Sequence, residues 1–591
     1  VVRPLGGARD GSAVVLADVD GKTLAYVADE DDARIRVVDV DEGLELSSVR
    51  PGGVPSQLAL RGDGKLVAAL RDVSQVVVLG GGGTSASPLA VEQRLDVATE
   101  PVGIALAPGD ATLVVTSAWG RTVSIVDARA MRIRAEHAVA REPRAVVVST
   151  DGKRAFVSHV VGDALDVVSL DEDASAGAVR QLRVGGAELT FGRSASPSTG
   201  TRAACQGFAL ARAESGRVFA PHVLAFTGNA EETSSGYGGD GEGRDSEVFH
   251  VPVIDEDAAT IVAGSMRVTD TMVELPNRCA LPRSATVGKA GLFVTCLGED
   301  VVSLYDARAV NPHDVELARW KVPSGPIGVA VDDAHGRAVV WSQLAHALTT
   351  LATGDGDQPR RPFALSSTTL PRQTRLSAKV ERGRALFHAT DETRISGDGR
   401  ACASCHPDGR DDALVWSSPN GPRQTPMLAG RLGGAAPYGW NGDAVDVSTH
   451  LTQTFKRLGG RGVTGDDKEA LIAYVSSLAP PPKGRPKDPA AVARGKEIFV
   501  SAKTECASCH GAAGELPDGA RHDVKSRAAG DARGGFDTPS LKLVGGSGPW
   551  FHDGRYKDLR TLLVKSDGKM GHTKHLSPSE LSDLTLYLES L

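Results

Sequence analysis

The chain has 591 residues, a formal net charge of −8 and seven cysteines, and it is too long for one ordinary domain. It contains no apolar run long enough for a membrane-spanning helix. The acidic balance, without any polybasic segment, speaks against nucleic acid or anionic lipid as a partner.

In chain order, the first feature is a repeat from Ala13 to about Leu365. Each copy opens on Pro or Gly and runs through an alternating apolar stretch to an Asp-Gly-type turn. A second apolar stretch follows, and then a third that ends near Asp. One copy reads Pro101-Val-Gly-Ile-Ala-Leu-Ala-Pro-Gly-Asp110, then Thr112-Leu-Val-Val-Thr116, then Val123-Ser-Ile-Val-Asp127. Another begins at Pro143, and further copies begin near Pro55, Cys205, Pro282 and Pro326. An early one spans Ala13 to Asp41. The period of about 40–45 residues is that of a propeller blade, and the alternation marks strands with one buried face. Seven blades are expected. The blade after Leu170 carries a Gly/Ser/Glu-rich insertion, Gly228 to Ser246, which reads as a surface loop.

This region resembles the YVTN-type seven-bladed β-propellers through its Pro-x-x-(Val/Ala)-apolar-x-x-(Asp)-Gly opening. That resemblance implies architecture and leaves the role open between docking platform, lid and scaffold. His137, His159, His222, His250, His313, His335 and His346 are scattered through it without ligand spacing. Among Cys205, Cys279 and Cys296, the pair Cys279–Cys296 is expected to form a disulfide, because each lies beside a predicted strand. Cys205 is then a buried thiol.

After Pro371 the texture becomes helical. Val380-Glu-Arg-Gly-Arg-Ala-Leu-Phe387 recurs as Val492-Ala-Arg-Gly-Lys-Glu-Ile-Phe499. Each opens a helix leading to a Cys-x-x-Cys-His: Cys402-Ala-Ser-Cys405-His406 and Cys506-Ala-Ser-Cys509-His510. Two thiols that add to porphyrin vinyl groups, with the next His on the iron, define covalent c-type haem attachment. Zinc would want four thiolate or imidazole ligands, and the duplication favours haem. Asp488 and Pro489 are a helix N-cap and first residue. Ser577-Pro-Ser-Glu580 is a capping box that puts Leu581, Leu584, Leu588 and Leu591 on one face. Its counterpart runs from Asp467 to Leu478, with Leu471, Val475 and Leu478 as the stripe. A stiff linker, 479–487, separates the two copies.

The paired copies resemble the bacterial di-haem cytochrome c peroxidase and MauG superfamily. The matching residues are Gly421-Pro-Arg423-Gln-Thr-Pro426 and Tyr438-Gly-Trp440-Asn-Gly442 in the first copy. In the second they are Phe536-Asp-Thr-Pro539-Ser-Leu541 and Phe551-His-Asp-Gly554-Arg555. The resemblance implies one reactive haem and one relay haem, with Trp440 between them or, alternatively, packing in the core. It also implies a calcium ion between the domains, with no ligands assigned.

A haem with two protein ligands moves electrons, and one with an open sixth position can bind peroxide. Met570, in Lys569-Met-Gly-His-Thr573, is assigned to the second haem iron, with His572 and His575 as alternatives. The first copy has Phe455-Lys-Arg-Leu-Gly-Gly460 at the aligned place and no His in Leu414–Asn420, so its sixth position is expected to be open. His450 lies where the family usually carries Gln, and Gly460 stands where an acidic residue is expected. His450 is read as a general acid–base group, with an iron ligand and a surface His as the other readings. Arg423 could stabilise charge on peroxide oxygen or pair with a haem propionate.

The expected chain is therefore multidomain. An all-β seven-bladed propeller (1–370) is followed by two α-helical, class-I-like cytochrome c domains (371–481 and 482–591). The expected function is a peroxidase-like oxidoreductase with two covalent haem c groups. Hydrogen peroxide would react at the first haem, and either a small redox protein or a protein side chain would be oxidised. The alternative is a di-haem electron-transfer protein with the propeller as docking module. Covalent haem attachment points to a periplasmic or otherwise exported protein whose leader has been removed.

Overall fold

Blade strands form where Val, Ile, Leu and Ala recur between tight turns, and three strands of most blades are buried on both faces. The computed structural model describes all residues except 172–177, 186–187, 192–197, 229–245, 265–278, 355–362, 374–375, 485 and 487. Met266, Met272 and most of the Gly/Ser/Glu-rich insertion lie outside the described residues. The chain divides into two compact units: 1–198, 202–225 and 247–377, and then 199–201, 226–246 and 378–591.

The first unit contains seven antiparallel blade sheets. The third blade is representative: Pro101–Leu106, Thr112–Ser117, Thr122–Asp127 and Arg132–Ala138 pair in sequence order. Its first strand is buried throughout, whereas the fourth is buried nowhere. The fourth strands account for what the repeat signal left out. Ala90–Asp96, for example, alternates exposed and half-buried residues, so it lacks the apolar run by which a strand is recognised. Val2–Pro4 adds a fifth strand to the first blade.

The fifth blade departs from the expected plan. Its strands are Ala211–Arg212, Arg217–Phe219, Val253–Asp255 and Thr260–Ala263, so it opens at Ala211, past Cys205. Cys205 instead ends the strand Ser198–Cys205, which lies in an additional four-stranded sheet with Glu188–Phe191, His222–Phe226 and Glu247–His250. The insertion is therefore larger than a loop: it contributes two strands of its own. Those strands are as apolar as blade strands, and pattern alone cannot say which sheet they join.

Cys279 and Cys296 form a disulfide with Cα atoms 5.0 Å apart, as expected, and Cys205 is buried. Three of the scattered histidines prove to be neighbours. His250 Nδ1 lies 3.2 Å from His222 Nε2, and the His250 and His313 rings are 5.1 Å apart. Burial lowers the His222 imidazole to about 4 and drives His250 well down. His222 Nδ1 donates to the Ala220 carbonyl at 2.9 Å, and His250 Nε2 donates to that of Gly264 at 2.6 Å.

The seventh blade (Pro326–Asp332, Arg337–Ser342, Ala347–Ala352, Ala364–Thr369) takes all its strands from one end of the repeat. The first blade takes its own from the other end. The ring thus closes through side chains, with Val14, Leu16 and Val27 packed against Val339, Trp341 and Leu348 in one buried cluster.

Among the described residues the second unit holds eight α-helices. They are α1 (Ala378–His388), α2 (Cys402–Cys405), α3 (Val447–Arg457), α4 (Gly465–Ser477), α5 (Pro489–Val500), α6 (Cys506–His510), α7 (Leu559–Lys565) and α8 (Pro578–Ser590). Asp488 caps α5 by accepting from Ala491 N, and Ser577 and Glu580 cap α8 reciprocally. The helix pair α1–α4 repeats as α5–α8 with the same contact. A Cβ at Gly383 would lie 2.0 Å from the Ala470 carbonyl oxygen, and one at Gly495 would lie 2.0 Å from that of Asp583. Only glycine lets the backbones approach so closely. Phe387 packs on Tyr474 at 5.2 Å and Phe499 on Tyr587 at 5.3 Å between ring centroids. No helix among the described residues is long and apolar enough to cross a membrane.

Candidate haem sites and the junction between them

Each Cys-x-x-Cys-His lies on a short helix that follows α1 or α5, so the thiols and the imidazole of each motif are presented together. His406 Nδ1 donates to the Arg410 carbonyl at 3.0 Å, and His510 Nδ1 donates to that of Pro539 at 3.1 Å. This fixes the tautomer and leaves each Nε2 as the basic atom for a metal. Burial lowers both imidazoles, His406 to about 4, so both are neutral at pH 7. The four thiols lie outside the disulfide, and burial pushes that of Cys402 up to about 12.

A cavity of about 1310 Å³, solvent at its mouth included, opens beside His406. Cys402, Cys405, His406, Arg423, Trp440 and His450 all line it. Much of the remaining wall is apolar, including Phe387, Ile395, Leu451, Phe455 and Val475. An apolar slot lined by one imidazole and two thiols fits covalently attached haem, which Cys402, Cys405 and His406 would hold.

His450 sits on α3, whose N-cap Asp446 accepts from Thr449 N. Its Nδ1 is buried without a hydrogen-bond partner. Burial, and then the charges of Arg457 and His406, lower its imidazole to about 4. Arg423 lines the cavity, but its guanidinium is engaged elsewhere. It binds Asp531 Oδ1 at 2.7 Å, the Asn420 carbonyl at 2.6 Å and Asn441 Oδ1 at 3.2 Å. Trp440 Nε1 donates to the Gln424 carbonyl at 2.8 Å.

In the second domain the Met570 loop is tied to the haem motif. His572 N donates to the Thr504 carbonyl at 3.0 Å, and a Cβ on Gly571 would lie 3.5 Å from Cys506 Sγ. Met570 packs against the cluster that contains Phe499, Leu584 and Leu588. The chain's remaining described methionine in this unit, Met427, is buried and does not line the cavity.

The two domains meet reciprocally. Gln424 N donates to the His552 carbonyl at 2.6 Å, and Asp537 N donates to the Trp440 carbonyl at 3.0 Å. Gln424 and Asp537 hold the same place in the repeated motif, as do Trp440 and His552. The Trp440 and His552 rings meet edge to face at 6.3 Å. His552 stacks on Phe536 at 3.7 Å, and its Nε2 donates to Asp531 Oδ2 at 2.8 Å. Asp531, fully buried, therefore binds Arg423 of the first domain and His552 of the second.

Sequence reasoning quoted His552 within its motif but gave it no role. Setting Pro437-Tyr-Gly-Trp440-Asn-Gly442 over Pro549-Trp-Phe-His552-Asp-Gly554 would have found it. Asp531 lies in an unmarked Gly/Ala/Arg loop and has no such signal. Trp416 was also passed over. It lines the cavity and donates from Nε1 to Asp412 Oδ2 at 2.9 Å, and burial pushes that carboxyl up to about 7. The two groups of potential metal ligands among the described residues each include a histidine, Cys509–Asp518–His522 and Asp29–Asp32–His346. Neither is the all-oxygen set that calcium prefers.

Fold and site together define a propeller protein that carries cytochrome c, with covalently bound haem. Residues 492–591 match the family model "Cytochrome c". The chain is 26% identical to methylamine utilization protein MauG of Methylorubrum extorquens over 339 residues, 43% of this chain and 94% of that protein. It is 26% identical to MauG of Methylophilus methylotrophus over 278 residues, 36% of this chain and 82% of that one. It is also 26% identical to the hydrazine synthase subunit gamma of Kuenenia stuttgartiensis over 170 residues, 21% of this chain and 48% of that subunit. These matches make the chain similar to the MauG-like cytochrome c proteins and support the class of a haem c oxidoreductase.

Proposed function

We propose that the chain is an exported, di-haem, peroxide-using oxidoreductase. Cys402, Cys405 and His406 would hold the reactive haem, and Cys506, Cys509, His510 and Met570 the relay haem. Bound haem supplies an iron that takes oxidising equivalents from hydrogen peroxide and passes them on to a redox protein or a protein side chain. One observation supports this reading above the rest: His406, His450 and Trp440 line one cavity, and Trp440 also meets the second haem domain.

His450 accepts the proton from peroxide and returns it to the leaving oxygen, the usual work of a neutral imidazole. Its unpartnered Nδ1 leaves the ring without a hydrogen bond at that atom to oppose this. Trp440, held by Gln424 and by Asp537 N, is a fixed aromatic between the two haem sites. Arg423, neutralised by Asp531, positions the junction around Trp440 and His552. A thioether at the second haem raises its potential, which suits an electron-accepting relay. A second reading has His450 close the first site as an iron ligand. The lowering of its imidazole to about 4 favours this equally, because a ligand must be neutral.

The optical and electron paramagnetic resonance spectra of the ferric protein test the proposal. A high-spin component that responds to peroxide is expected. Two low-spin haems indifferent to peroxide and cyanide would leave only electron transfer.

A further inference from the structure

Among the described residues the first and seventh blades share no strand, and side-chain contacts join them. Three carboxylates of the first blade, Asp29, Asp31 and Asp32, lie at and just beyond the end of the strand Lys22–Asp29. They face His346, in the corresponding turn of the seventh blade. His346 Nε2 lies 3.6 Å from Asp29 Oδ1 and 3.6 Å from Asp31 Oδ2. One ligand atom from each of Asp29, Asp32 and His346 falls within 4.8 Å of the other two.

His346 is 0% exposed, and neither of its ring nitrogens has a hydrogen-bond partner. Asp32 Oδ1 is likewise buried without one. Leaving such groups unpaired costs about 1–3 kcal/mol each. The 3.6 Å separations are longer than an N–H···O bond of about 2.7–3.2 Å. They are close to the edge between two ligands of one ion, since tetrahedral donors at about 2.0–2.2 Å from zinc lie roughly 3.4 Å apart.

Neighbouring groups engage mainly the far oxygens of Asp29 and Asp32. Arg36 takes the opposite oxygens, binding Asp29 Oδ2 at 2.6 Å and also Asp32 Oδ2. Its remaining arm pairs with Glu45 at 2.9 Å. One guanidinium is thus shared by three carboxylates. Gln343 Nε2 and Asp32 N each donate to Asp29 Oδ1 at 3.2 Å, which orients that carboxylate toward His346.

We propose that His346, Asp29, Asp31 and Asp32 bind one divalent transition-metal ion of the zinc or manganese type, which pins the first blade to the seventh. One imidazole with three carboxylates suits such ions, whereas calcium and magnesium prefer oxygen-only sets. An ion bound only by the closed ring stabilises it by mass action.

The test uses the full-length, haem-loaded protein, stripped with chelator and titrated calorimetrically with Zn²⁺ alone and then Mn²⁺ alone. Metal content is read by mass spectrometry and propeller unfolding by scanning calorimetry. One equivalent of at least one ion is expected, with a rise in the unfolding temperature. His346→Asn should lose both effects. Asn is chosen because residue 346 has φ +50°, a conformation Asn tolerates. Asp31→Asn, at a side chain 15% exposed, should weaken binding at least tenfold and provides the test if His346→Asn does not fold. The proposal is overturned if the parent binds neither ion, which would leave a buried His–Asp ion pair. It is equally overturned if the variant that folds takes up metal as tightly as the parent.

Discussion

The two helical domains share one skeleton and differ at a few positions around their Cys-x-x-Cys-His motifs. Both have the glycine-mediated helix crossing, the Phe–Tyr contact beside it, and an Asp N-cap accepting from the backbone N–H three residues on (Asp446–Thr449 and Asp558–Thr561). From those caps the register places His450 opposite Leu562. One sits in the cavity wall and the other in the apolar core of its domain. The second domain has Met570 before its last helix, and the first has no thioether at the matching place. The junction likewise pairs unlike residues, Trp440 and His552, at equivalent positions. Duplication has kept a common helical frame and exchanged a few of the side chains around it.

The comparison is broken most completely by removing one attachment site. Replacing Cys402 and Cys405 together with Ala should abolish covalent haem in the first domain and leave the second loaded, as read on a denaturing gel stained for haem. An unchanged haem stoichiometry would refute the assignment. The next largest effect comes from making the first domain resemble the second. His450→Leu should slow the reaction with peroxide by about 10²- to 10⁴-fold, the usual cost of losing a positioned proton shuttle. Stopped-flow kinetics check this, and a faster reaction would show that His450 had been blocking the iron.

The junction is the third place to press. Asp531→Ala leaves the partly buried Arg423 and the buried His552 without their shared carboxylate, and about 3–5 kcal/mol of stability should be lost. Denaturant unfolding of the haem-loaded protein measures it, and a loss below about 1 kcal/mol would mean that solvent screens the pair. Gly383→Ala and Gly495→Ala should each cost about 1–3 kcal/mol by overpacking. The pair sharpens the comparison, because equal losses are expected from equal contacts.

The smallest effect is a pH dependence. Burial lowers the His450 imidazole to about 4, so the neutral base is fully present at pH 7 and is lost only as pH falls through about 4. Peroxide reactivity should therefore stay flat from pH 7 to about 5 and decline below that. A decline centred near the ordinary imidazole value, about 6.5, would show that the ring is solvated in the loaded protein.

Much of this molecule was legible because local rules agreed with the fold. The blade period, the caps at Asp488 and Ser577, and both Cys-x-x-Cys-His motifs depend on residues close together in sequence. The outer blade strands were not legible, since a strand with a solvent face lacks an apolar run. The three-histidine contact of His222, His250 and His313 was also hidden, because it joins residues brought together only by the inserted strands and the blade edge.

At the site the same division holds. The sequence by itself determined the paired Cys-x-x-Cys-His motifs, the duplication of the helical frame and the lack of a methionine in the first copy at the place of Met570, because these are matters of residue type and spacing. Only the tertiary structure decided that Arg423 is claimed by Asp531, that Trp440 meets His552 and that His450 and His406 share one cavity. Those facts depend on which surfaces of two independently readable domains come together, and packing is a property of shape that no single stretch of chain encodes.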